Sequence, residues 1–459
     1  MTIINNGLSG LLAAQIGLDV TSQNVANVMT AGYTRQGPLM AAVLPSHSGA
    51  GVPGDGVRVL SLQRFSDGYK SQQLWRAASQ LGQHEGVQPY LMQIEQVMGD
   101  DLSSINTGMD QFFAALNAAS VDPTSSPLRQ AVVTSADSLA QRFNSLQQVL
   151  SNQRNSVFQQ RTGVVTQLNL VAAQVAELNG KIAATKATGV NPSGLIDERD
   201  RKIDALASLV GVQVIDQDDG TRSVSLAGGQ PLVVGARAST VTVQKDATGA
   251  QTLQLTFARE TFSLVGAKLG GQLGGLDDFE QGTLLPMTRS ITDLATALAG
   301  TINGQLAAGY TMDGRSGPPL FAANPSSASS LLTLAPGFLG SDLAFSSDPA
   351  QPGNSDNLLA VIDSKNLPVS ITSLGNVLLG DTYTQLVAKI GTQSQQNQTL
   401  LKTAQTVRGQ AEENWKSTSG VNSDEEAMNL VQFQQMYQAN MKVVAIANQL
   451  FDSTLAMME

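Results

Sequence analysis

A mainly α fold with one small inserted antiparallel β module is what this sequence predicts, and three patterns predict it. Apolar residues recur at alternating steps of three and four at both chain ends and again across 127–187, the period of helices packed along a seam. From Gly211 to Gly275 the period becomes two, punctuated by Asp219-Gly220, Gly228-Gly229 and Thr248-Gly249, as in hairpins. Beyond Gly275 the helical period returns, so the β module is inserted between helices. The expected layout is nested. Residues 1–36 with 421–459 form a terminal coiled coil, 37–210 with 276–420 a helical rod with irregular and strand segments, and 211–275 the β domain.

At the N-terminus, Ile4, Leu8, Leu11, Gln15, Leu18, Ser22, Val25 and Met29 step along one helix face, and Asp19 is the only charge before Arg35. Pro38 to Gly56 is rich in Gly, Pro and Ser, which predicts an irregular arm; Val57, Val59 and Leu62 then alternate like a short strand. Apolar spacing predicts a helix from Asp67 to Met98, kinked or interrupted by Pro89. A short helix around Phe112, Phe113 and Leu116 stops at Asp122-Pro123. Ser126 before Pro127 opens the next helix. Its frame runs through Ala136, Leu139, Phe143, Leu146, Leu150, Val157, Val164, Leu168, Val171, Val175, Leu178 and Ile182, with Gln153, Gln160 and Arg161 near the middle. Gly189 to Gly194 breaks it, and 197–209 makes another helix.

After the β module, Gly270-Gly271 and Gly274-Gly275 read as a flexible turn, and Leu276 to Ala308 as a helix. Tyr310 to Gly353 is loop-rich, with short strands expected near Leu331 to Leu334. A long helix from Asp381 to Lys416 is expected to pack antiparallel on 127–187. The last helix starts with Ser423 and Glu426 as a capping box. Leu430, Phe433, Tyr437, Asn440, Val444, Ala447, Phe451, Thr454 and Met458 form its seam, with Met436, Val443, Ile446, Leu450 and Met457 beside it. Between Ala427 and Met458 the only charges are Lys442 and Asp452. A solvated helix back normally carries more charge, so this helix is expected to meet protein on nearly all sides.

Composition narrows the function classes. Charged residues are 14% of the chain, where about 25% is usual in soluble proteins. Net charge of −10 argues against nucleic acid and an anionic membrane surface as partners. Neither end carries the roughly 18 unbroken apolar residues of a spanning helix, and no Lys or Arg precedes the first apolar run as in a signal peptide. Without cysteine there is no disulfide, thiolate metal site or cysteine nucleophile. His47 and His84 are the only histidines, and nothing in the spacing places either beside a serine and a carboxylate, so both read as solvated imidazoles. Asp216-Gln217-Asp218-Asp219-Gly220 begins like a calcium loop, but its glycine falls one place early and Ala227 stands where the bidentate Glu belongs; it reads as a turn. Gly270 to Gly275 lacks the Lys-Ser/Thr pair of a phosphate cradle. No catalytic residue, cofactor or metal ligand is assigned.

Ala26 to Gln36, with Asn27, Gly32, Tyr33, Arg35 and Gln36, resembles the ANxxTPGYxRQ signature of bacterial flagellar rod, hook and hook-associated proteins. Ala31 stands where that signature usually has Pro, so a less stiff loop is expected. Gly54 to Val57 through Arg64, Asp67 and Gln72 is similar to the segment that follows it in that superfamily. The tail from Ser419, and Leu195-Ile196-Asp197-Glu198-Arg199-Asp200, resemble elements of the flagellar hook-associated protein 1 family. The resemblance implies a non-enzymatic structural protein, leaving through the flagellar type III pathway and working outside the cell at the hook–filament junction. It implies helical self-assembly through an inner tube of terminal helices. The implied partners are the hook protein, the next hook-associated junction protein and an export chaperone on the C-terminal helix. The assembly residues are then Ile4, Leu8, Leu11, Leu18, Val25, Met29, Leu430, Phe433, Tyr437, Val444, Ala447, Phe451 and Met458. A hook or distal-rod protein is the alternative within the superfamily. A shaft carrying a glycan-binding β module is the alternative outside it, weakened because Phe257 and Phe262 are the only aromatics of 211–275.

Overall fold

The computed structural model describes residues 2–44, 54–101, 104–245, 251–264, 268–327 and 329–457; His47, Met458 and the expected turn at Thr248-Gly249 lie outside the described residues. The chain begins with α1 (Thr2–Ala26), then β1 (Gln36–Ala42) and β2 (Val57–Arg64), which pair antiparallel. Part of the expected irregular arm is therefore strand. Pro38 is tolerated because a two-stranded ribbon leaves each strand an unpaired side. The expected 67–98 helix is two helices, α2 (Gly68–Glu85) and α3 (Gln88–Gly99), with Pro89 in the first turn of α3, where its missing N–H costs nothing.

α4 (Ile105–Ala119) precedes α5 (Ser126–Ala187), about 93 Å of continuous helix at 1.5 Å per residue. Every residue of its predicted frame, from Ala136 to Ile182, is buried. α6 (Ser193–Leu209) leads into the β module. There β3 (Val212–Asp216), β4 (Arg222–Leu226), β5 (Pro231–Val234) and β6 (Arg237–Ala238) form one antiparallel sheet. β7 (Thr240–Lys245), β8 (Gln251–Phe257) and β9 (Glu260–Ser263) form a second. The Asp219-Gly220 turn forms as predicted: Gly220 takes φ +89°, and Asp219 Oδ1 accepts from the Thr221 N–H at 2.8 Å and its hydroxyl at 2.7 Å.

The glycine pairs that follow are not a flexible turn throughout. Gly270 and Gly271 have positive φ and turn the chain, but α7 (Gly271–Phe279) already contains Gly274 and Gly275. Gly275 is needed for close approach, since a side chain there would collide with the Gln83 carbonyl. A π-helical turn (Glu280–Leu284) joins α7 to α8 (Leu285–Ala307). Then come β10 (Phe321–Ala323) with β11 (Leu332–Leu334), α9 (Asp356–Asp363), β12 (Pro368–Ile371) with β13 (Gly375–Leu378), α10 (Thr382–Ser419) and α11 (Ser423–Ala456).

Two compact units are built from these elements. One comprises Met1–Leu81, Val165–Gly271 and Ala404–Glu459; its core joins the C-terminal part of α5, from Val165, to α6 and the β module. Arg408 on α10 is bidentate to Asp204 of α6 at 2.7 and 2.8 Å and donates to the Leu74 carbonyl of α2 at 2.8 Å. The other unit comprises Gly82–Val164 and Gln272–Thr403. Its core contains Phe112, Phe143 and Phe345 and the fully buried Arg161–Glu280 pair at 2.7 Å. In it Tyr383 of α10 donates to the Met98 carbonyl at 2.9 Å, and Asn397 donates to the His84 carbonyl at 3.1 Å. Among the described residues no helix is long and apolar enough to cross a membrane.

Candidate functional site

α1 and α11 run antiparallel: Gly7 faces Val444, Gly10 faces Asn440, Gly17 faces Phe433 and Asn24 faces Glu426. The face α1 turns inward is not its leucine seam. Gly7, Gly10, Ala13, Ala14, Gly17, Val20, Thr21 and Asn24 are buried, at the same steps of three and four but with small or polar side chains. A Cβ on Gly17 would lie 2.5 Å from the Phe433 ring and one on Gly10 2.5 Å from the Asn440 amide, so these glycines let the two backbones approach.

The predicted assembly residues consequently divide. On α11, Phe433, Tyr437 and Val444 are half-buried and Ala447 buried, and they belong to the face that receives α1. Ile4, Leu11 and Leu18 are half-buried at the edges. Leu8 (49%), Val25, Leu430, Phe451 (62%) and Met29 (93%) are exposed, as are Val431, Met441, Val443, Ile446 and Leu450. α1 closes on α11 through its glycine and alanine stripe, and the larger apolar residues Leu8, Val25, Met29, Leu430 and Phe451 are left exposed.

The signature residues sit where α1 ends and α11 begins, and Asn24 organises them. Its side-chain NH2 donates to the Gln36 carbonyl at 2.8 Å and to Glu426 Oε2 at 3.1 Å. Its Oδ1 accepts from the Gln36 N–H at 3.1 Å and the Tyr33 hydroxyl at 2.9 Å. Asn24 and Glu426 are each 1% exposed. Burial first, and then the Asp197 carboxylate, push the Tyr33 phenol above its ordinary pKa, so it stays a donor. Arg35 pairs with Glu425, lies 3.9 Å from Glu426, stacks 4.5 Å over the Phe65 ring, and its N–H donates to the Ser419 carbonyl at 2.8 Å. Gly32 takes φ +73°, and a Cβ there would stand 2.5 Å from Arg201 Cγ, so only glycine fits. Asn27 closes the loop, donating to the Gln23 carbonyl at 2.9 Å and accepting from the Thr30 hydroxyl at 3.2 Å.

Asp197 and Asp200 of α6 anchor this loop. Asp197 Oδ2 accepts from the Thr34 N–H at 3.1 Å, and Arg64 of β2 pairs with Asp197 at 2.6 Å and Asp200 at 2.9 Å. Arg222 of β4 joins Asp200 and Asp216; burial opposes its charge, yet the two carboxylates hold its pKa above the ordinary value. Arg199 is brought down to about 10 by burial and by the neighbouring Arg222. Its carbonyl partner is Gly220 at 2.7 Å. The mixed charges of this α6 turn thus bridge β2, the signature loop and the β module. Among the described residues no three His, Cys, Asp or Glu side chains are grouped to hold a metal.

The helix start differs from the predicted capping box. Asn422, not Ser423, is the cap, its Oδ1 accepting from the N–H groups of Asp424 at 2.9 Å and Glu425 at 3.4 Å. Glu426 is taken by Asn24 and cannot reach back to cap. Asn422→Ala is expected to lower the stability of the first turn of α11 by about 1 kcal/mol, read as faster amide exchange at 423–427.

The model of the flagellar hook-associated protein FlgK helical domain matches residues 91–321, half of the chain. The chain belongs to the FlgK family of flagellar hook-associated proteins. Models of the flagella basal body rod protein and of the flagellar basal body rod FlgEFG protein C-terminal region match residues 4–34 and 417–457, the segments that hold α1 and α11. Flagellar hook-associated protein 1 of Escherichia coli K12 is 28% identical over 99% of both chains. That of Bacillus subtilis 168 is 26% identical over 97% of this chain and 96% of its own. The structure of the flagellar hook junction protein FlgK from Burkholderia pseudomallei shares the fold, with a TM-score of 0.68 and 19% identity over 75% of this chain and all of that one. This FlgK-family chain is therefore a structural component of the extracellular flagellum.

Proposed function

We propose that this chain is an adaptor at the hook–filament junction, meeting the hook on one side and the next junction protein on the other. It acts by helical self-assembly and carries no catalytic role. The observation that supports this reading is the division of labour on the terminal pair. α1 and α11 close on each other through small residues, leaving Leu8, Val25, Met29, Leu430, Ile446 and Phe451 exposed. An exposed apolar run of this size on a nearly chargeless surface marks a protein interface. Each such side chain fully buried against a neighbouring copy stabilises assembly by about 1.5–3 kcal/mol. The nested division into terminal coiled coil, rod and β domain belongs to the same proposal, as does an export chaperone covering the open face of α11 before assembly.

Electron microscopy of cells lacking this chain is the direct test. Hooks without filaments are expected; absent hooks would assign it to hook or rod instead. The purified monomer supplies a second check. Amides of 448–456 are expected to exchange much faster than those of α5, because every side chain from Asn448 to Met457 is exposed while the α5 frame is buried. Equal protection would mean that a lone molecule already shields its ends.

A further inference from the structure

We propose that the cleft beneath the signature loop is a socket for the C-terminal tip of α11 from a second copy of this chain; the proposal rests on the self-assembly reading and names one contact within it. The cleft, about 590 Å3, is walled by residues 27–33, by Leu74 and Trp75 of α2, by α6 from Asp200 to Ala205, and by 412–421. Both tryptophans of the chain, Trp75 and Trp415, line it. Asp200, Asp204 and Glu412 on its walls are balanced by Arg201, Arg408 and Lys416. A balanced rim around aromatic walls favours neither a cation nor an anion and suits an apolar segment with few charges.

The tip of α11 has that chemistry. Leu450, Phe451, Leu455 and Met457 are all exposed, and Asp452 is the only charge between Asn448 and Met457. Because α1 and α11 are antiparallel, tip and cleft lie at opposite ends of one helix pair, about 50 Å apart for a helix the length of α11. A chain cannot fill its own cleft, but it can fill a neighbour's. Such a head-to-tail contact is heterologous: it builds a ring where the rotation between copies closes and a helical stack where it does not. Charge adds a register: Arg201 and Asp452 are both exposed, and neither has an ion-pair partner among the described residues. With Phe451 seated between the tryptophans, Asp452 comes to the rim that carries Arg201.

The absence of cysteine makes cross-linking clean. Met29→Cys on one copy and Ser453→Cys on another, both at exposed positions, are co-expressed and flagella are isolated and oxidised. A disulfide-linked dimer of this chain is expected from the mixture and from neither variant alone. Junctions that form with attached filaments but yield no dimer overturn the socket while leaving self-assembly standing. A cross-link to a flagellar protein of another mass overturns the choice of occupant. Charge reversal is the second measurement. Arg201→Glu and Asp452→Arg are each expected to reduce filament number, and a chain carrying both to restore it; single reversals without effect, or no restoration, overturn the contact. Failure of self-assembly itself reads differently, as wild-type chain recovered from flagella without any copy-to-copy contact.

Discussion

Replacing Asn24 by alanine is expected to cost about 3–5 kcal/mol in the terminal pair and to leave cells with hooks but few filaments. The amide makes four hydrogen bonds in a site from which water is excluded. Its loss strands the Gln36 N–H and carbonyl and removes a donor from the buried Glu426 carboxylate. Each buried group left unpaired costs about 1–3 kcal/mol, and neighbours in one network do not sum fully. Asn24→Asp separates hydrogen bonding from charge. It keeps the acceptor side but brings a carboxylate against Glu426 Oε2, where the native amide stands at 3.1 Å. Burial and the like charge both raise the new carboxyl's folded pKa above its unfolded value, so its ionisation opposes folding. The destabilisation is then complete at pH above the folded pKa and is relieved as pH falls through it. The alanine variant introduces no new carboxyl beside Glu426. Amide exchange at 20–36 and 423–430, followed from pH 7 to pH 5, distinguishes the two.

The sequence reading succeeded where apolar periodicity and backbone chemistry point the same way. The α5 frame is buried along its whole length, and Pro89 and Asp219-Gly220 act where their backbone constraints require. It misjudged which face of α1 closes on α11. Gly7, Gly10, Ala14, Gly17, Thr21 and Asn24 recur at the same three-and-four spacing as the leucines, but a search weighted by hydrophobicity gives glycine no signal. Asn24 was missed for a related reason: an amide on a helix reads as solvated until a buried carboxylate 402 residues away in sequence is found beside it. The signal that was available is the smallness of the stripe, which permits only a close helix partner. The mixed charge of Asp197 to Asp200 reads from sequence as local ion pairing or a salt bridge to another helix; the partners Arg64 and Arg222 come instead from separate strands, which sequence spacing does not bring together.

Gly17→Leu tests that smallness, and it is expected to abolish junction formation while sparing the α5 core. The first atom added would stand 2.5 Å from the Phe433 ring, near its attachment, where no flexible end can swing aside. Overpacking of this kind costs about 1–3 kcal/mol when neighbours yield; here the obstacle is the Phe433 ring, and α1 and α11 are tied at one end by the Asn24 cluster, so the pair must part or shift. Helix propensity works the other way. Leucine favours a helix over glycine by about 1 kcal/mol, so α1 alone gains helicity. A separated but more helical α1 is thus the expected state: circular dichroism unchanged or slightly stronger, amide protection of α11 lost from 433 to 447, and filaments absent. Gly17→Ala adds only the Cβ and is expected to be milder in each readout. Phe433→Ala in the Gly17→Leu background removes the collision and is expected to recover part of the protection. Recovery would place the defect at the α1–α11 contact. Full protection in Gly17→Leu alone would show that this contact does not govern how the ends are presented for assembly.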